Sequence, residues 1–192
     1  MSLLILGLVI FLGVHSVGMA APAWRERMVA RLGEVPWKGL YSVASLVGFV
    51  LIVWGYGLAR QEPVGLWAPP TWLRHVALLV MLPAFPLLLA AYLPGRIQTA
   101  AKHPMLAAVK LWAFAHLLAN GNLADVLLFG SFLAWAVADR ISLKTRTAPP
   151  VHGAPPGKAN DAIAVIGGLI LYGAFIGILH AWLFGVSPLG VR

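Results

Sequence analysis

The segment His103–Gly121 reads "HPMLAAVKLWAFAHLLANG". His103, Lys110 and His116 interrupt a run that is otherwise as apolar as a membrane span. Pro104 suits a first helical turn, where its missing N–H costs nothing. Gly121 can end that helix. Asn122 can then cap the next one, with Asp125 at its third position as a capping-box partner. Residues 104–119 and 123–138 therefore read as a tight helical hairpin. Sixteen residues rise only about 24 Å, whereas a full crossing takes about 20 residues. The hairpin is expected to be short.

The rest of the chain fits the same picture. It has 192 residues, 60% hydrophobic and 10% charged, where a soluble domain carries about 25% charge. Further apolar runs at 3–21, 39–59, 72–93 and 162–185 complete an all-α integral membrane bundle of about six transmembrane helices in one domain, 1–192. The first run is followed by small residues, as a signal peptide would be, but it has no basic residue before it. It is read as a span. Pro83 and Pro86 bend the third run. Residues 143–160, rich in Pro and Gly, predict an extended linker containing a solvated His152.

Net charge is +8. Ten of the fourteen cations fall in alternate loops: Arg25, Arg27, Arg31, Lys38, Arg96, Lys102, Arg140, Lys144, Arg146 and Lys158. This distribution predicts membrane orientation and contact with anionic lipid, not nucleic-acid binding. It places both termini outside the cytoplasm. Small residues in stripes predict close helix packing: Gly130/Ala134/Ala138, Gly173/Gly177, and Ser45/Gly48 with Gly55.

There is no cysteine. That excludes disulfides, cysteine zinc sites, iron–sulfur clusters and covalent haem attachment. No paired carboxylates, H-E-x-x-H, Walker loop or G-x-S-x-G elbow occurs. Histidine is the remaining chemistry, and an ionisable group at membrane depth reads first as functional. His15 lies in the first span on a face with Gly7, Phe11 and Gly18. His116 follows Trp112 by one turn. His75 and His180 lie near the same outer surface. His103 sits at a helix start, and Lys110 is close enough to the interface to snorkel. For His15 the ordinary alternative is a hydrogen bond to a neighbouring backbone carbonyl; for His75, His116 and His180 it is an interfacial position near water. Two of them on facing helices can instead hold one haem iron. Counted from the cytoplasmic side, His116 is about 18 Å deep and His15 about 9–14 Å. They can meet only if the hairpin is sunken. His75, His116 and His180 form the rival set.

The stretch "RIQTAAKHPMLAAVKLWAFAHLLANGNLADVLLFGSFLAWAVADR" closely resembles the signature of NnrU proteins, bacterial membrane proteins associated with denitrification. "LGEVPWKGLYSVASLVGFVLIVWGYG", "LWAPPTWLRHVALLVMLPAF" and "FLGVHS" match the same pattern. NnrU proteins are similar to the zeta-carotene isomerases, membrane enzymes that use haem b. The resemblance implies His15 and His116 as axial ligands, with Trp112 and Phe11 beside the porphyrin. It implies an inner-membrane protein that supports nitrite or nitric oxide reductase function, with respiratory nitrogen-oxide reductase components as partners. The isomerase branch has a cysteine three residues before its second histidine. Ala113 stands there in this chain, which weakens the reading as a haem-dependent cis-trans isomerase. A structural or transport protein without haem is the third expectation.

Overall fold

The computed structural model describes residues 1–146, 151 and 153–190. His152 and part of the 143–160 linker lie outside them. Among the described residues the chain is helical and has no strand, only an isolated bridge between Gly65 and Asn122. The helices are α1 Ser2–Ala20, α2 Pro22–Leu32, α3 Glu34–Ala59, α4 Trp72–Met81, α5 Ala84–Ala90, α6 Arg96–Ala101, α7 Pro104–Ala119, α8 Leu123–Ser142, α9 Asn160–Ala174 and α10 His180–Phe184. A π-helical turn, Phe175–Leu179, joins α9 to α10. Four segments are long and apolar enough to cross a membrane: α1, α3, Trp72–Ala90 and Asn160–Phe184.

Helix boundaries follow local chemistry. Gly33, at φ 87, turns the chain from α2 into α3. Pro36 lies in the first turn of α3, so the helix starts earlier than the apolar run alone suggests. Helix α8 opens on a full capping box between Asn122 and Asp125, as the hairpin reading expected. It runs on to Ser142, past the expected end at Ala138. The basic loop after α1 folds into the exposed helix α2, with Trp24 set edge-on to Trp37 at 5.7 Å.

Pro83 separates α4 from α5. Here the Leu82 N–H donates to the Leu79 carbonyl rather than to that of Leu78. The freed Leu78 carbonyl accepts from the Tyr172 hydroxyl on α9 at 2.9 Å. A neighbouring helix thus satisfies what the bend exposes. On the same contact, a Cβ at Gly168 would lie 2.4 Å from the Pro86 nitrogen, so the α5 and α9 backbones touch there.

The helices pack in the order α3, α1, α8, α7, α4–α5, α9. Leu4, Leu8, Ile52, Ala113, Leu128 and Phe129 form much of the buried core. Helices α1 and α3 approach through glycine: a Cβ at Gly7, Gly48 or Gly55 would stand 2.6, 2.7 or 2.3 Å from backbone nitrogen of the other helix. That part of the small-residue reading matches the packing. Gly130, Gly173 and Gly177 face open space instead, so their stripes are not helix contacts here. Outward faces carry exposed Val9, Leu46, Leu79, Ile170 and Trp182, as a lipid-facing exterior requires.

Two joints fix the ends. At the basic end, Asp161 of α9 accepts from the Arg96 and Ile97 N–H groups at 2.9 and 3.0 Å, capping α6. The linker is tied down there too: the Ala154 N–H donates to the Tyr92 carbonyl, and Asn160 donates to the Pro94 and Pro155 carbonyls. At the opposite end the hairpin tip meets the loop before α4. Leu66 and Trp67 N–H donate to the Gly121 carbonyl, and Leu123 N–H donates to the Val64 carbonyl. The tip is level with that loop rather than sunken.

Candidate functional site

Three histidines each set Nδ1 against a backbone carbonyl, His15 and His116 one turn back and His180 six positions ahead. The Nδ1 atom of His15 lies 2.6 Å from the Phe11 carbonyl. That of His116 lies 2.7 Å from the Trp112 carbonyl. That of His180 lies 2.7 Å from the Val186 carbonyl. A carbonyl only accepts, so each Nδ1 carries the proton. Each Nε2 then has a free lone pair, the form in which imidazole binds a metal.

His116 and His180 come together. Their ring centres are 6.3 Å apart, with planes at 23°. Phe129 stacks on His116 at 4.5 Å and Trp112 is tilted against it at 5.3 Å. Phe184 flanks His180 at 5.0 Å. His180 immediately follows the π-helical turn. Such a turn holds one residue more than an α turn, re-aims everything after it, and is found often at functional sites.

His15 is elsewhere. Its ring stacks on Phe11 at 4.2 Å and lies near Tyr41 and Trp135 at 5.3 and 6.0 Å. None of these touches the His116 ring. The contacts also differ in depth. Phe129, against His116, and Trp135, against His15, are six positions apart on α8, about 9 Å along its axis. Phe132 stands between, touching Phe11 at 5.7 Å and Trp112 at 5.5 Å. The structure therefore does not bring His15 to His116; that pairing needed a sunken hairpin, and the bonds from 64–67 to 121–123 hold the tip outward. Phe11 and Trp112 go with their own histidines. His75 is exposed on α4, and His103 and Lys110 are half-buried on the stretch around the α7 start.

Behind the pair lies a polar support of which the sequence announced only the Asn122–Asp125 cap. Asp125 is 3% exposed. It accepts from the Tyr56 hydroxyl at 2.5 Å and from the Asn122 backbone and side-chain nitrogens at 3.1 and 3.0 Å. Arg60 lies over the Tyr56 ring and donates to the Phe184 carbonyl at 2.9 Å, tying the α3 end to α10. Tyr56 and Asp125 are 69 positions apart, so no local pattern announces their bond.

A family model described as NnrU protein matches residues 3–188. The chain belongs to the NnrU family. No curated protein and no solved structure matches it. The NnrU resemblance brings haem into question, so its fit to these residues matters. Among the described residues, no three His, Asp or Glu side chains gather as a metal cluster. A zinc-type site needs three or four protein ligands. Haem iron needs only two, because the macrocycle supplies the rest. The donor set of His116 and His180 fits that requirement. Helix α10 buries none of its residues, so parting it from the hairpin to admit a flat ring sacrifices little packing.

Proposed function

We propose that this NnrU protein is a six-span bacterial inner-membrane protein that carries one haem b between His116 and His180. In this reading it assists nitrite or nitric oxide reduction, with respiratory reductase components as partners and both termini on the periplasmic side. The observation that carries it is the neighbouring imidazole pair, ring centres 6.3 Å apart, in which both Nδ1 atoms are held by carbonyls and both Nε2 atoms are left free to ligate.

The residues have distinct tasks. The Trp112 and Val186 carbonyls hold the Nδ1 protons and fix the rings' tautomers. Phe129, Trp112 and Phe184 offer aromatic faces to a macrocycle. Arg60, already fastened to α10, offers a cation to a carboxylate at the surface. Bound haem would supply a one-electron centre. The basic loops favour the stated orientation, and α7 and α8 are counted as spans because their tip reaches the outer loop.

The test is a visible spectrum of detergent-purified protein, oxidised and reduced, expressed with ample haem. Sharp reduced bands are expected in the native chain and in His15→Ala, and their loss is expected in His116→Ala and in His180→Ala. Loss in His15→Ala with retention in His180→Ala would restore the pairing implied by the zeta-carotene isomerases. A colourless native protein would remove haem altogether.

A further inference from the structure

A groove of about 330 Å³ opens on the outer side of α1 and α3, with Phe11, His15, Tyr41, Ser45 and Phe49 in its wall. It lies apart from the His116–His180 pair and shares no residue with it. Its surroundings are apolar and exposed: Leu46 is 62% exposed and Val50 52%. An entrant therefore comes from the lipid.

The polar chemistry here is unfinished. The Ser45 hydroxyl and the Trp135 indole nitrogen are buried, and neither finds a hydrogen-bond partner among the described residues. A buried polar group without a partner costs about 1–3 kcal/mol. Trp135 sets its ring edge-to-face against His15 at 6.0 Å. Its N–H can only donate, whereas Ser45 can donate or accept. His15 Nδ1 is committed to the Phe11 carbonyl, so Nε2 can only accept. No charged side chain lines the groove.

A ligand that matches this wall is flat, uncharged and lipid-soluble. It accepts hydrogen bonds in one form and donates one in another. We infer that the groove between α1 and α3 is a head-group site for a membrane quinone and its quinol, with Ser45 donating to a ring carbonyl and His15 Nε2 accepting from a quinol hydroxyl. Phe11, Tyr41 and Phe49 supply faces for the ring, and the apolar rim receives the tail. Phe49 also touches Phe11 at 6.5 Å, which keeps this side of the groove aromatic.

The test is equilibrium binding of decylubiquinone to the full chain in phosphatidylcholine nanodiscs, with empty nanodiscs subtracted and bound quinone measured by extraction. One saturable site per chain is expected. His15→Gln should weaken binding at least fivefold, and Ser45→Ala about threefold. His116→Ala should leave affinity unchanged, which separates this site from the haem reading. Thermal melting of each variant checks folding; if His15→Gln fails it, Ser45→Ala decides. Uptake no greater than in empty nanodiscs, equal affinity across the folded variants, or displacement of the quinone by phosphatidylglycerol would each overturn the assignment.

Discussion

The Tyr56 hydroxyl donates to Asp125 across 2.5 Å, joining α3 to the start of α8 inside the bundle. The same carboxylate caps α8 through Asn122. One buried group thus fixes both the hairpin's second arm and its distance from α3. A hydrogen bond to a charged group is worth about 1.5–3 kcal/mol. Tyr56→Phe removes that bond and leaves the carboxylate buried. A lowered melting midpoint in detergent is expected, with Phe129 losing its edge-on neighbour only slightly because the ring remains.

The glycine contact between α1 and α3 makes a sharper prediction. In Gly55→Ala the new methyl meets the Leu4 backbone rather than a flexible side chain. The helices must separate, and overpacking of this kind costs about 1–3 kcal/mol. Gly173→Ala faces open space and should leave the midpoint unchanged or slightly raised. Equal losses in the two variants, measured by thermal melting, would show that the close approach does not matter.

The register set by the π-helical turn can be tested from both sides. Deleting Ile178, which is 70% exposed, removes the extra residue and should return the turn to α geometry. The residues after it then keep their rotational phase, so the reduced haem bands and the helical circular dichroism should both be retained. Inserting one alanine between Leu179 and His180 instead turns His180 by about 100° about the helix axis, and loss of the bands is expected. Bands that survive the insertion would detach His180 from the site.

His103 precedes α7 and is half-buried beside Arg140. Burial, and then the Arg140 guanidinium, push its imidazole below the ordinary histidine range. Above about pH 6.5 the ring is neutral in both folded and unfolded chains. As pH falls below that, the unfolded chain takes up the proton first, so stability declines until the lowered native value is reached. Melting midpoints at pH 7.5 and 5.5 should differ less in His103→Gln than in the native protein.

The sequence was most informative where bonds are local. The Asn122–Asp125 cap, the Asn120-Gly121 break and the bend at Pro83 all depend on neighbours within a few positions, and the structure has each of them. The pairing of histidines does not. Whether His116 meets His15 or His180 depends on how far the hairpin crosses, and loop 64–67 decides that from more than fifty positions away. The π-helical turn left no mark either, since "FIGIL" is ordinary helical sequence. Small-residue stripes were a partial guide: Gly48 and Gly55 touch another backbone, whereas Gly173 does not, because the pattern names no partner.

The carboxylate of Asp161 sits where a side chain on Gly95 would collide with it, and it completes the first turn of α6 from 64 and 65 positions downstream. Until the ribosome has delivered that aspartate, these α6 amides are left to water. Assembly at this surface therefore finishes late, with the C-terminal rod arriving as the latch for a corner translated long before it.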